Sequence, residues 1–355
     1  MEPRDLSSHV AYEAGRGIEE VARELGLDTE SLIKLSSNEN AFGPAPKAIE
    51  AIEAYAPKVH TYPKSSAADL RAGLAERFDV TPQQVWLANG GDGALDYLAR
   101  TFLDPGDRVL VSKPGFAYYA MSARYHHGTV AEYPIEKETD FAQTAANVLA
   151  HYDGERIIYV TSPHNPSGSE MPLSEVEALA ETVDDETLVL VDEAYAEFSD
   201  SPSAVTLFDD YENLAVLRTF SKAYGLAGVR LGYAVVPEAW ADAYARVNTP
   251  FAASEIACRA GLAALEDTEH VEKTVAGAQW AREYIRDTLE APTWESAGNF
   301  VLAEVGNGTE VFEAAKREGV IVRDTSSFGL PECIRITTGT EAETKRAVEV
   351  INDAL

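Results

Sequence analysis

Lysine is scarce in this chain. Of its 355 residues 10 are Lys and 19 are Arg, together the 29 basic residues that face 59 acidic ones. The net charge is −30, with no basic stretch of the kind a nucleic-acid backbone requires. Cysteine is scarcer still. Cys258 and Cys333 stand far apart and form no C-x-x-C pair, so neither a disulfide framework nor a thiolate metal site is implied. The seven histidines show no H-E-x-x-H or other metal spacing. No apolar run approaches the length that spans a bilayer. The opening MEPRDLSS is polar and charged, unlike a secretory signal. Internal repeats and low-complexity segments are missing as well. The expectation is a soluble cytoplasmic protein with neither nucleic-acid nor membrane partners.

What is present is enough apolar residue, 45%, to fill a core, and enough chain for two domains. The carboxylates are spread along the sequence and read as a solvated surface. Such a surface repels itself at low salt, so a salt-adapted protein is expected.

Residues 1–45 read as an arm, with Ile18, Val21, Ala22 and Leu25 on one face of a helix over Gly17–Leu25 and a turn-rich loop, SSNENAFGPAP, at 36–46. Lys47–Tyr55 and Ala67–Phe78 read as helices. From residue 85 onward seven short apolar runs alternate with helical stretches. They are Val85–Ala88, Arg108–Ser112, Thr129–Tyr133, Arg156–Thr161, Thr187–Asp192, Leu214–Phe220 and Leu231–Val236. Runs such as RIIYV and TLVLV are nearly unbroken β-formers, the mark of strands buried on both faces. This predicts an α/β fold with a mostly parallel seven-stranded sheet in a large domain over 46–265. Long helices are expected over Pro237–Leu265, broken at Pro250, and Glu269–Leu289. Residues 266–355 then change to an α+β pattern. Strands are expected at Asn299–Val305, Gly319–Arg323 and Cys333–Thr337, with helices at Glu310–Glu318 and Glu341–Ala354. That pattern reads as a smaller domain against which the arm could pack.

Four constellations carry chemistry. Lys222 lies in TFSKAYGLAGVRLG, just after a strand. A lysine there is ordinarily a solvated charge. Its neighbours Phe220, Ala223, Tyr224, Leu226 and Ala227 are largely apolar, however, and Arg230 is close in sequence. Desolvation and a nearby cation both favour the neutral amine that Schiff-base formation needs. Arg230, always charged, suits a phosphate. Asp192 closes TLVLVD at the carboxyl end of a strand, where ligands gather in open α/β sheets. It could keep a pyridine nitrogen protonated, with Tyr195 near the ring hydroxyl, or it could simply cap a turn. Asn165 sits in the turn SPHNPSG and could donate to the same oxygen, or it could be an ordinary Asn-Pro turn. His164 beside it reads as structural. Asn89–Gly93, NGGDG, precedes a helix expected from Ala94 to Phe102. It is equally a phosphate cradle of bare N–H groups or a plain glycine turn. Asp92 within it must be protonated, be paired, or face away from any phosphate. A dinucleotide fingerprint fails because position 96 is Asp. The S-x-x-K match at Ser31–Lys34 lacks the S-D-N and K-T-G partners of penicillin-binding enzymes and reads as chance.

In this order the motifs resemble the fold-type I pyridoxal-phosphate aminotransferases, and among them the branch acting on histidinol phosphate. YEAGRGIEEVARELG, KLSSNEN, TYPKSS, SPHNPSG, VDEAYAEF, RTFSKAYGLAGVRLGY, AGNFVL, VIVRD and IRITTGT span nearly the whole chain. The resemblance implies pyridoxal 5'-phosphate held by Lys222, which also shuttles a proton. It places Asp192 at the pyridinium nitrogen, Tyr195 and Asn165 at the ring hydroxyl, and Phe116 of KPGFAYY on the ring face. Gly91, Asp92, Ser221 and Arg230 would surround the cofactor phosphate, assisted by Thr219. Tyr62 would reach that phosphate from the partner subunit, making the active unit a homodimer with shared sites. Arg335 would hold the carboxylate of glutamate or 2-oxoglutarate. Arg323, with Tyr12, would grip the phosphate of histidinol phosphate. Ala41, Gly93 and Gly115 depart from the family's usual proline, acidic residue and threonine, and Gly93 is expected to loosen the phosphate loop. The competing readings are threonine-phosphate decarboxylase, an aromatic-amino-acid aminotransferase, and a non-enzymatic regulator with an aminotransferase-like domain.

Overall fold

The structure is a computed structural model and describes residues 6, 7, 9, 18–26, 28–63 and 67–355. The expected strands form with ends within a residue or two. They are β2 (Val85–Asn89), β3 (Arg108–Lys113), β4 (Thr129–Pro134), β5 (Ile157–Thr161), β6 (Leu188–Asp192), β7 (Leu214–Thr219) and β8 (Leu231–Val235), after a short β1 (Ile33–Lys34) in the arm. Among the described residues the seven make one sheet in the order β2-β8-β7-β6-β5-β3-β4. Every residue of β5, β6, β7 and β8 is buried, because helices cover both faces. Alternate residues fill two cores. Ile158, Val160, Val189, Val191, Leu214 and Val216 join one, and Ile157, Tyr159, Leu188, Leu190, Ala215 and Leu217 join the other.

Six strands run parallel and β8 alone is reversed. The cause is the length of the link before it. A parallel crossover takes about a dozen residues or more, usually including a helix. Residues 220–230 hold only a 3-10 turn, Ala227–Val229, so the chain doubles back beside β7. Elsewhere β3 has β4 on one side and β5 on the other, and the order changes direction between β3 and β5. The loops after these two strands therefore flank a crevice at the carboxyl ends.

The rest of the chain forms a second layer system. β9 (Phe300–Glu304), β11 (Arg323–Asp324) and β12 (Cys333–Thr337) make an antiparallel sheet in the order β11-β12-β9. β10 (Val320–Ile321) pairs in parallel with β1 of the arm. Val21, Ala22 and Leu32 of the arm pack with Ile321.

Three sequence expectations need correction. The run Gly319–Arg323 is not one strand. It changes partner at the buried Val322, giving β10 to the arm and β11 to β12. The first long helix is fragmentary. A 3-10 stretch at Glu238–Ala243, a single turn at Tyr244–Val247 and the helix Glu255–Leu265 surround an irregular segment at Pro250 and Phe251. Proline removes an N–H and restricts its predecessor, and the helix restarts only where Ser254 Oγ accepts from the Ala257 N–H at 3.1 Å. The helix expected from Ala94 begins at Gly90, so the glycine turn is itself the helix N-terminus.

A buried ion triad ties β7 to the segment after β6. Arg218 lies 2.7 Å from Glu193 and 3.0 Å from Glu197, all with side chains under a tenth exposed. Its guanidinium sits 5.2 Å from the centre of the Phe78 ring. Truncating one member leaves buried charge uncompensated. Arg218→Ala is expected to lower unfolding free energy by about 3–5 kcal/mol, read as a lower denaturant midpoint in equilibrium unfolding.

Candidate active site

The carboxyl ends of β5, β6 and β7 bring the predicted residues together. Asp192 ends β6 with its side chain 5% exposed. Its Oδ2 accepts from Tyr119 Oη at 2.6 Å and its Oδ1 from the Ala194 N–H at 3.0 Å. Burial pushes its carboxyl up to about 6, and the Tyr119 hydrogen bond opposes that rise. Tyr119 Oη also lies 2.8 Å from Thr161 Oγ1, and its ring stacks on Tyr159 with centroids 4.7 Å apart. Asp192 is thus fixed in direction by a hydroxyl pair that the sequence reading missed. Only the place of Tyr119 in the first turn of the helix that follows Phe116 could have hinted at it.

Lys222 occupies the β7–β8 link and is partly buried. Burial, then the Arg335 and Arg230 cations, lower its amine to about 8, while Glu39 and Asp92 oppose that shift. Its Nζ donates to the Ser37 carbonyl at 3.4 Å and lies 5.6 Å from the centre of the Tyr195 ring. Tyr195 is 5% exposed, edge-on to Phe300, and its Oη accepts from Asn38 Nδ2 at 3.0 Å.

Asn165 follows β5 and its Oδ1 accepts from Arg335 Nη1. That bond orients the amide and leaves Nδ2 as the donor end. Arg335 also donates to the Ser36 carbonyl at 2.8 Å. His164, fully buried, places Nε2 3.0 Å from the Pro114 carbonyl and Nδ1 2.7 Å from Ser167 Oγ. A carbonyl only accepts, so Nε2 carries the proton. Burial lowers the imidazole to about 4 and keeps it neutral. It ties the Asn165 turn to the loop carrying Phe116, in the structural role expected. Phe116 precedes the helix Ala117–Tyr125 and meets Tyr119 edge-on at 5.4 Å. A Cβ at Gly115 would fall 2.5 Å from Ser112 O and Oγ, which accounts for glycine where threonine is usual.

The turn at 89–93 opens the helix Gly90–Phe102 against the start of β8. Asp92 pairs with Arg230 Nη2 at 2.9 Å, so of the alternatives for that carboxylate the structure takes pairing. Burial raises its carboxyl and Arg230 opposes the shift. The approach is close: a Cβ on Gly90 would lie 2.4 Å from Arg230 Nη2, and one on Gly232 2.4 Å from the Gly90 carbonyl carbon. Ser221 N–H donates to Thr219 Oγ1 at 3.1 Å, and the two hydroxyl oxygens stand 3.0 Å apart. Gly91, Asp92, Thr219, Ser221 and Arg230 thus line a cup of N–H, hydroxyl and guanidinium donors at a helix start, which suits a phosphate. A carboxylate at the end of β6 for a ring nitrogen and an amine lowered toward neutrality complete a set that fits pyridoxal phosphate.

Arg323 stands directly opposite Arg335 across β11 and β12. Opposed residues of an antiparallel pair share a face, and like charges there repel unless an anion joins them. Arg323 Nη2 lies 3.1 Å from Ser327 Oγ. Tyr62 is not brought to this cluster. Its ring is 83% exposed and stacks on Phe251 at 5.0 Å. Tyr12 lies outside the described residues. Ser31 Oγ donates to the Asp28 carbonyl, and Lys34 pairs with Glu39, so the S-x-x-K match serves local structure. Among the described residues no His, Cys, Asp or Glu group is arranged for a metal, and no helix is long and apolar enough to cross a membrane.

The pattern of the family described as "Aminotransferase class I and II" matches residues 30–351. A histidinol-phosphate aminotransferase of Natronomonas pharaonis is 73% identical over the full length of both chains. One of Haloarcula marismortui is 66% identical over 100% of this chain and 99% of its own. Among solved structures, the histidinol-phosphate aminotransferase from Sinorhizobium meliloti in complex with pyridoxal-5'-phosphate superposes with a TM-score of 0.90 at 27% identity, covering 99% of this chain and 96% of that one. With the Lys222, Asp192 and Asn165 geometry in place, the chain belongs to the class I and II aminotransferases and, within them, to the histidinol-phosphate aminotransferase family.

Proposed function

We propose that this chain moves the amino group of L-histidinol phosphate to 2-oxoglutarate in histidine biosynthesis, releasing imidazole acetol phosphate and glutamate. The observation that carries the reading is the Arg323–Arg335 pair on one face, beside Asn165 and Lys222. Both halves of the reaction bring an anionic substrate, a phosphate in one and a dicarboxylate in the other.

Pyridoxal phosphate, when bound, would supply an electrophilic aldehyde carbon and a ring able to hold an electron pair. The protein does the rest. Lys222 gives and takes the proton at the substrate carbon, which its lowered amine can do near neutral pH. Asp192, ionised above about 6, would pair with the ring nitrogen and favour its protonated form. Tyr195 and Asn165 would hold the ring oxygen, and Phe116 would cover the ring. The cup of Gly91, Asp92, Thr219, Ser221 and Arg230 holds the cofactor phosphate. Tyr62, exposed on its own subunit, reaches the partner's cup, so the working unit is a homodimer. Arg335 binds the substrate carboxylate, and Arg323 with Tyr12 the substrate phosphate. Residues 1–45 act as an arm on the small domain of 266–355, and 46–265 form the cofactor domain; the β1–β10 pairing supports that division. The acidic surface suits a salty cytoplasm, where counterions screen a net charge of −30.

Lys222→Ala is expected to retain no cofactor absorbance after gel filtration and to lose roughly 10²–10⁴-fold or more in turnover; surviving transamination would sink the assignment. Arg323→Ala should raise KM for histidinol phosphate about tenfold or more and leave that for 2-oxoglutarate nearly unchanged, with Arg335→Ala affecting 2-oxoglutarate most. Carbon dioxide release from threonine phosphate in the same assay would overturn the substrate. In molar salt, mixing inactive Lys222→Ala subunits with weakened Tyr62→Phe subunits should restore activity through hybrid dimers, and dialysis to low salt should lower the Tm. Failure of either outcome removes the shared site or the salt adaptation respectively.

A further inference from the structure

Residues 36–40 strap together parts of the site that are far apart in sequence. The Ser36 carbonyl accepts from Arg335, the Ser37 carbonyl from Lys222, and Asn40 Nδ2 donates to the Ala223 carbonyl at 2.9 Å. In the middle of this strap Asn38 is 1% exposed and holds a φ of +53°. Asparagine visits that left-handed region more readily than most residues. Both ends of its side chain are engaged. Nδ2 lies 3.0 Å from Tyr195 Oη, and Oδ1 lies 3.1 Å from Thr337 Oγ1.

The neighbours decide which way that amide faces. Thr337 Oγ1 already accepts from the backbone N–H of Asn38 at 3.0 Å. Its hydroxyl proton then goes to the amide oxygen, since a flipped amide would set two donors and a buried proton against one another. The Asn38 carbonyl is in turn held by Asn299 Nδ2 at 3.0 Å. Asn38 therefore presents N–H to Tyr195. A hydroxyl that accepts on one side keeps its single proton for a partner on another. The charged groups around Tyr195 leave that proton unclaimed. Arg335 only donates, Asp192 takes its hydrogen bonds from Tyr119 and Ala194, and Lys222 lies over the ring face.

We propose that Asn38 is a positioning residue of the transamination: by donating to Tyr195 Oη it obliges Tyr195 to donate its own proton to the ring oxygen of the cofactor. This rests on the reading that puts Tyr195 at that oxygen. A donor there stabilises the oxygen's negative charge, so less proton affinity remains at the neighbouring nitrogen linked through Lys222. The Asn38 bond also polarises the tyrosine hydroxyl and strengthens its donation. The same asparagine ties Thr337 of β12 to the end of β6, so the donor is set only when the two sheets are correctly seated.

The test is a spectrophotometric titration of the cofactor-loaded enzyme, following the pH midpoint of its visible band. Tyr195→Phe should raise that midpoint by about one unit or more, the loss of a hydrogen bond to a charged oxygen. Asn38→Gly, which tolerates the positive φ and adds no charge, should raise it by roughly a few tenths of a unit, about a twofold change in proton affinity. In the Tyr195→Phe background the Asn38→Gly shift should vanish. If the glycine variant does not fold, Asn38→Asp keeps the size and the Thr337 bond but accepts the tyrosine proton. It should raise the midpoint by more in the native background than in Tyr195→Phe. A Tyr195→Phe shift with neither Asn38 variant moving, or an Asn38 shift equally large in both backgrounds, overturns the proposal alone. An unmoved Tyr195→Phe midpoint removes Tyr195 from the ring oxygen and takes the proposal with it.

Discussion

The constraint on which the site depends is the short link between β7 and β8. Residues 220–230 have too little chain for a crossover helix, so β8 is reversed and the link stays at the carboxyl edge of the sheet. Arg230 is thereby held against Asp92 in the helix that starts at Gly90, and Lys222 against the ring of Tyr195, just past the end of β6. A longer link could have crossed the sheet and carried Arg230 to the opposite edge. The unusual strand direction and the chemistry have one cause.

Charge is arranged on two scales. Over the surface the chain is strongly acidic, which in water would repel anionic substrates. In the site the positive groups Arg335, Arg323, Lys222 and Arg230 gather, and the first is nearly buried. Partial desolvation strengthens their pull on an anion relative to the screened surface. Burial, together with the Arg335 and Arg230 cations, also lowers the Lys222 amine. Asp92 on Arg230 and Asn165 on Arg335 keep these guanidiniums directed. Placing the cations on different elements, β11, β12 and the 220–230 link, lets each be fixed by its own neighbours.

Much of this was legible in the sequence, for a physical reason. β5, β6 and β7 are buried on both faces, and such strands are written as apolar runs that end at their functional residue. Asp192, Asn165 and Lys222 could each be placed at a strand end before any coordinates. Asn38 and Tyr119 could not. Their roles rest on contacts to Tyr195 and Asp192, residues separated from them by 157 and 73 positions, and an asparagine in a turn-rich loop looks like any other turn former. The division of β10 from β11 was hidden for a related reason. Val322 is apolar whichever sheet its neighbours join, so composition does not record a change of partner. Tyr62 was placed by resemblance, and its ring stacks on Phe251.

The contact between Gly232 and Gly90 bears on how far this enzyme could be re-engineered. A Cβ on Gly232 would meet the Gly90 main chain, whereas one on Gly90, held at a φ of +76°, would meet the Arg230 guanidinium. The start of the helix at Gly90 and the reversed strand are consequently joined main chain to main chain, and any side chain at Gly232 would force them apart. Around Arg323, Ser327 and Phe328 side chains rather than main chain make the contacts. The two regions therefore differ in how freely a side chain can be exchanged without moving the main chain.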